Sequence, residues 1–172
     1  MQTLVNDIRD RISSLNLFKY IDEDWGQLDD YSTNPPTKWP CALVDIVEAK
    51  PGNLGGLIQV VDITIMVRVA ALRLSPGSQK ATEAQRLHSE EVFGLCTTVH
   101  SKLHGWHSKE DGTNYGTLTR TGLRRNKRDD GIREYQLLFT TALKDSSAQL
   151  AVTDLHAQVP SVIKPDVSLG SI

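Results

Sequence analysis

Three histidines near the middle of the chain are the residues best suited to chemistry. His100, His104 and His107 stand at i, i+4 and i+7, and on a helix the first two share a face that could bind zinc. The sequence has no HExxH motif, however, and Gly105 is placed to end a helix before His107. We therefore predict a solvated histidine cluster that holds no metal.

Sequence motifs of catalysis and phosphate binding do not occur in the chain. There is no GxSxG elbow, no GxxxxGK[ST] loop and no GxGxxG. The two cysteines, Cys41 and Cys96, fit neither a disulfide framework nor a metal ribbon, and we expect both to be small buried hydrophobes. We predict no enzyme activity and no cofactor; an enzyme with a dispersed site is the least favoured alternative.

Two segments of opposite charge are a stronger functional signal. Residues 19–50 carry three basic and seven acidic residues, a net charge of −4, and residues 116–135 carry six basic and three acidic residues, a net charge of +3. Complementary segments on one chain suit a head-to-tail contact between copies, which closes into a ring when the rotation permits. The charged residues that we predict at this subunit interface are Asp22, Glu23, Asp24, Arg124, Arg125, Lys127 and Arg128.

Each charged segment also has a simpler interpretation. The acidic stretch lacks the spaced ligands and terminal Glu of a calcium loop, so a solvated connection is its alternative. The basic run sits in or beside a predicted hairpin loop, so a solvated hairpin tip is its alternative. No aromatic residue is interleaved there to stack on bases, and we expect no specific recognition of nucleic acid.

The composition indicates one domain without a bias toward nucleic acid or membranes. The chain has 172 residues, a usual size for one domain. Its 19 basic and 21 acidic residues nearly balance, so we expect no global attraction to nucleic acid or to an anionic membrane. Asp7, Arg9, Asp10 and Arg11 stand where a signal peptide needs an apolar core, which argues against secretion.

The apolar pattern predicts two helices and two strand pairs. Apolar residues recur at helical spacing over residues 2–15 and over Lys80–Leu103. The predicted strands are Cys41–Val47, Leu57–Leu72, Tyr115–Gly122 and Ile132–Leu143. The stretch PGNLGG between the first two strands is typical of a turn. These elements predict an α+β fold with a mixed or antiparallel sheet flanked by two helices, in the order α-β-β-α-β-β.

The strand Leu57–Leu72 is long for this domain. Val61, Ile63, Ile65, Val67 and Val69 alternate along one face, which indicates a half-buried strand. Sixteen residues would span roughly 50 Å at ~3.3 Å per residue. We therefore expect the strand to bend or to project as a hairpin that packs on a neighbouring subunit, with Leu57 near the tip of the hairpin as a further interface residue.

The composition changes after Lys144. The last 28 residues, 145–172, have no sustained period and contain two prolines, yet six of them are apolar aliphatic residues between Leu150 and Ile163. We interpret residues 1–144 as the α+β domain and residues 145–172 as an extended C-terminal arm that docks on a neighbouring subunit.

The layout resembles tail terminator (tail completion) proteins of long-tailed bacteriophages. The residues that carry the resemblance are YIDEDWGQLDDY, then PPTKWPCALVDIV, then the long strand and the helix Lys80–Leu103. The resemblance covers about residues 2–144, and the arm departs from it. It implies a homo-oligomeric ring, usually hexameric, in the tail or neck of a virion that is assembled in the host cytoplasm. The implied partners are other copies of the chain, a tail tube protein and a head completion or connector protein.

A second interpretation belongs to a different class of protein. A small α+β ligand-binding or regulatory domain that dimerises through its sheet would have the same element order. The oligomeric state separates the two, because the first predicts a ring and the second a dimer.

Overall fold

The protein folds around one mixed five-stranded sheet that carries two helices on one face. The computed structural model describes residues 1–29, 38–73, 77–107, 115–128 and 130–148. The elements in chain order are α1 Gln2–Ser13, β1 Tyr20–Glu23, β2 Cys41–Gly55, β3 Ile58–Leu72, α2 Glu83–Leu103, β4 Thr119–Asn126 and β5 Ile132–Asp145. The predicted α+β class is confirmed.

The strand order places β3 at the centre of the sheet. The order is β1-β2-β3-β5-β4, with β1 parallel to β2 and every other pair antiparallel. The strand β1 follows α1 in the chain and pairs with β2 at one edge of the sheet. The two edge strands, β1 with four residues and β4 with eight, are the shortest of the sheet.

The main core lies between the helices and one face of the sheet. The alternate residues Val61, Ile63, Ile65, Val67 and Val69 of β3 are all buried, as the period of two predicts. They pack against apolar stripes on the two helices and against alternate residues of β5. The helical residues with the least exposure are Leu4, Ile8, Ile12, Val99 and Leu103.

A smaller core lies on the opposite face of the sheet. Leu28 packs there against Cys41, Leu43, Ala70 and Ile132. Cys41 is a free thiol, as is Cys96 in the main core, and burial raises their pKa values to about 12 and about 11. Both cysteines are thus buried apolar groups, as predicted.

The long hairpin extends further than the sequence predicts. PGNLGG is not a separate turn, because β2 continues through Gly55 and the chain reverses at Gly56 and Leu57, which have φ values of 60° and 65°. The first four residues of β2 are buried, whereas Val47–Gly55 are exposed. Pairing with β3 across a register shift keeps this polar, Gly-rich segment extended.

Two other element boundaries differ from the prediction. The fourth strand is Thr119–Asn126, not Tyr115–Gly122, because pairing with β5 selects this register and Tyr115 forms only an isolated bridge to Leu143. The basic run is therefore mostly strand, where the sequence suggests a hairpin loop. The second helix begins at Glu83, not Lys80, because Thr82 and Gln85 form a capping box.

The predicted boundary of the arm falls one residue inside a strand. Lys144 and Asp145 both pair with β3, so β5 continues to the level of the hairpin tip. The rest of the predicted arm from residue 149 onward lies outside the described residues, and its docking on a neighbour stays a prediction.

Candidate functional site

A buried arginine on the second face of the sheet is the centre of a charge cluster. Arg68 of β3 is 4% exposed. Its guanidinium donates two hydrogen bonds to Glu134, at 2.8 and 3.1 Å. It donates further bonds of 2.9 Å to Asp24 and of 2.7 and 2.8 Å to Asp29. Three carboxylates from two distant segments therefore converge on one cation.

A second arginine completes the cluster. Arg128 follows β4 and contacts Asp130 at 2.6 Å, Glu134 at 3.2 Å and Asp29 at 3.5 Å. It also donates to the carbonyl oxygen of Leu28. Two arginines thus share four carboxylates, and every one of these charged groups is paired inside the chain.

Local structure brings the acidic loop to this cluster. The chain leaves β1 at Glu23 and turns at Gly26, which has a φ of 94° that favours glycine. Gln27 fixes the turn by accepting from the backbone N–H of Trp25 and donating to the carbonyl oxygen of Glu23. Leu28 then enters the smaller core. The cluster and Leu28 together fasten this loop to the second face of the sheet.

The electrostatics of the cluster favour ionised carboxylates. Burial alone would raise the pKa of Glu134, but hydrogen bonds and charge from Arg68, with hydrogen bonds from Gln136 and Asn126, outweigh burial and lower that pKa. The hydrogen bonds from Arg68 also lower the pKa of Asp29. Burial would lower the pKa of Arg68, but its bonds to Asp29, Glu134 and Asp24 raise it. Each acid and each base of the cluster has a partner of opposite charge, so the role of the cluster is to stabilise the fold.

Acid should weaken this charge cluster. A carboxylate with a lowered folded-state pKa stabilises the fold at pH values above its unfolded pKa of about 4, and that stabilisation is lost as the pH falls through the folded-state pKa. We expect Glu134→Gln to be less stable than the natural chain at about pH 7 and the difference to shrink by about pH 3. Urea denaturation over this pH series measures the difference. A difference that stays constant with pH would contradict the prediction.

The predicted acidic interface residues have different surroundings. Asp24 lies in the buried cluster, so its charge is used inside the chain. Asp22 is half-buried, pairs with Arg9 at 3.1 Å and accepts from the hydroxyl of Tyr20. Glu23 is exposed and makes no ion pair with another described residue. Of the three, Glu23 is the most available to a neighbour.

The predicted basic interface residues divide in the same way. Arg128 belongs to the buried cluster, whereas Arg124, Arg125 and Lys127 are exposed. Arg124 donates a 2.9 Å bond to Gln136 from the surface of the sheet. Leu57 is 52% exposed at the tip of the long hairpin. The interface role of all these residues stays a prediction.

The structure adds a relation that the sequence does not show. The acidic residues of β1 and the basic residues of β4 lie on the two opposite edges of the same sheet. Among the described residues, no strand pairs with the outer edge of β1 or of β4. Trp25 beside β1 is 64% exposed and Leu123 in β4 is 45% exposed. Each charged edge therefore also carries an exposed apolar residue.

The histidines do not form a metal centre in the described part of the chain. The ring centroids of His100 and His104 are 5.0 Å apart. Nδ1 of His104 accepts a hydrogen bond from the backbone N–H of Arg120. Burial, with the nearby charge of Arg120, lowers the pKa of His100. No group of three or more His, Cys, Asp or Glu residues within the described ranges is arranged to hold a metal ion.

The helices of the described ranges include none that is long and apolar enough to cross a membrane.

No protein-family model matches this sequence, and no curated protein matches it. Among solved structures, the chain is similar to one from the virion of a native gene transfer agent (GTA) particle, with 10% sequence identity and a TM-score of 0.47. The similarity covers 78% of this chain and 84% of that chain.

Proposed function

We propose that this protein is a structural protein of a phage tail or neck. In this proposal, copies of the chain form a ring that ends the tail tube and helps to join the tail to the head. The observation that carries the ring is the placement of acidic and basic residues on opposite free edges of one sheet. Two different surfaces that complement each other give a head-to-tail contact, and such a contact closes into a ring or continues as a filament.

The shape of the long hairpin supports the same proposal. The outer half of β2 buries none of its side chains in its own domain, although β3 beside it stays paired with β5. A hairpin of this length offers a surface to a neighbouring subunit without enlarging the core. The resemblance described above supplies the expected neighbours, which are further copies, a tail tube protein and a head completion or connector protein.

One surface feature favours the alternative of a dimeric ligand-binding domain. A mostly apolar groove of about 560 Å³ is lined by Trp39, Pro40, Ala71 and Leu72, together with the polar residues Lys19, Lys38, His88 and Glu91. Apolar clefts of this size accommodate small molecules. The groove by itself does not require a ring.

Mass measurement in solution separates the two functions. Analytical ultracentrifugation and negative-stain microscopy of the full chain should show a ring of several copies. The ring should open at high salt, because exposed ion pairs contribute only about 0–1 kcal/mol each and are screened. A dimer that persists at all concentrations would overturn the ring and favour the ligand-binding domain.

Leu57→Asp tests the role of the hairpin tip. We expect the free energy of unfolding to change by no more than about 0.5 kcal/mol, because Leu57 is exposed and Asp tolerates its positive φ better than leucine does. Assembly should weaken, since the tip loses an apolar contact and gains a charge. Sedimentation of the variant measures this effect.

Leu87→Asp is the matched control, because Leu87 is a 64% exposed leucine on α2, away from the hairpin. Rings that form normally from the Leu57 variant would show that the hairpin tip is outside the contact.

A further inference from the structure

We infer that the sheet continues from one copy to the next, with β4 of one subunit pairing antiparallel to β1 of its neighbour. The inference deepens the proposed ring and rests on it, because it names the two strands that form the contact. Three independent properties of the sheet support it: the register of the edges, their direction and their charge.

The register places the two edge strands at the same level of the sheet. A row of directly paired residues crosses the sheet from Asp22 in β1 to Arg124 in β4. The residues between them are Leu43, Arg68 and Gln136. The row that begins at Glu23 ends at Leu123 in the same way. A neighbouring subunit that is displaced along these rows, perpendicular to the strands, therefore brings its β4 directly beside β1 of the first subunit. No shift along the strand direction is needed.

The strand directions give the same result. β1 runs parallel to β2, and each of the three remaining neighbour pairs is antiparallel. β4 consequently runs opposite to β1. An added strand with this direction makes an antiparallel pair, in which an edge strand satisfies its free backbone groups by pairing with another chain.

The charges select this pair over pairing between identical edges. β4 and the residue after it carry Arg124, Arg125 and Lys127 in exposed positions. Two copies of this edge would repel each other, and charged edge strands are a common protection against self-pairing. The β1 edge carries Asp22, which already pairs with Arg9, and Glu23, which is exposed. Glu23 therefore supplies the charge that attracts the basic edge and opposes another acidic one.

Apolar residues can anchor the same contact. Trp25 lies two residues beyond Glu23, and Leu123 lies in the row of Glu23 at the other edge. In a single chain Trp25 is 64% exposed and Leu123 is 45% exposed. Tryptophan is strongly enriched among the residues that dominate interface energies. The contact would bury Trp25 of one subunit near Leu123 of its neighbour, beside the acidic and basic residues of the two edges.

A charge exchange tests the pairing in solution. Glu23→Arg and Arg125→Glu should each raise the midpoint concentration of assembly by roughly tenfold, because Glu23 and Arg125 become diagonal cross-strand neighbours in this register. An equal mixture of the two variants should assemble nearly as well as the natural chain, since each contact then joins opposite charges again. Glu90→Arg, an exposed site on α2, is the control that should change nothing.

Disulfide trapping tests the register itself. In a chain that carries both Asp22→Cys and Arg124→Cys, oxidation should join successive copies into a ladder, because directly opposite residues are close enough for a disulfide. Within one chain the two sites are separated by four strand spacings, roughly 19 Å, so they cannot bridge internally. The natural cysteines are buried and should not compete. Asp22→Cys with Lys127→Cys, out of register, is the control.

The outcomes separate this inference from the proposed function. Rings that form but show neither the ladder nor the response to charge exchange would overturn the sheet contact and leave the ring in place. A ladder that grows without closing would support the contact and overturn the ring. A natural chain that stays a dimer, with neither response, would overturn both.

Discussion

Arg68→Met should lower the free energy of unfolding by about 3–5 kcal/mol, the cost of breaking a buried ion pair from one side. Glu134 is completely buried and Asp24 nearly so, and both take hydrogen bonds from Arg68. Methionine fills similar space without a charge, so these carboxylates would keep their desolvation cost and lose their cation. Urea denaturation at neutral pH measures the loss.

The control for Arg68 is another arginine of the same row. Arg124 is exposed and lies opposite Gln136 of β5, which lies opposite Arg68 on its other side. Surface changes such as Arg124→Met usually cost no more than about 0.5 kcal/mol. The gap between the two variants should shrink in acid as the carboxylates are protonated. An Arg68→Met variant as stable as Arg124→Met would show that the cluster does not hold the fold.

Ile65→Pro should abolish folding. Ile65 is fully buried at the centre of β3, paired with Ile46 on one side and Phe139 on the other. Because β3 has a neighbour on both sides, a proline removes a ladder hydrogen bond whichever way the N–H points. Loss of the buried side chain adds about 2–5 kcal/mol, so the total approaches the 5–15 kcal/mol stability of a typical domain.

Ile65→Val is the matched control at the same position. It keeps the backbone donor and the β-branched shape, so we expect a loss of only about 0.5–1.5 kcal/mol. Circular dichroism and urea denaturation of both variants give the comparison. A folded, cooperative Ile65→Pro protein would show that β3 is not the continuous central strand of the sheet.

The period of two along β3 and the helical spacing of the flanking segments were enough to predict the main core. Alternate residues from Val61 to Val69, the stripe on α1 and the α2 stripe from Val92 to Leu103 are buried as expected, because burial of one face follows directly from side-chain periodicity. The α2 stripe does not extend to Leu87, which is 64% exposed. Boundaries were less predictable where polar residues follow a strand. The segment after Val47 is extended only because β3 pairs with it.

Arg68 illustrates what periodicity misses. Its position in β3 assigns it to the face opposite the main core, and in isolation that assignment suggests exposure. The structure buries it because Asp24, Asp29 and Glu134 reach it from 44, 39 and 66 residues away. Nothing in the local pattern indicates such partners, since the contact depends on how the loop after β1 folds over the sheet.

The sequence by itself determined the α+β class, the buried face of the central strand and the presence of two oppositely charged segments, because these properties depend on composition and local spacing. Only the tertiary structure decided which of those charges are used. Strand order and register, which are set by pairing between distant segments, put Asp24 and Arg128 into one buried cluster. The same pairing left Glu23 and Arg125 exposed on opposite edges of the sheet, where a second copy can meet them.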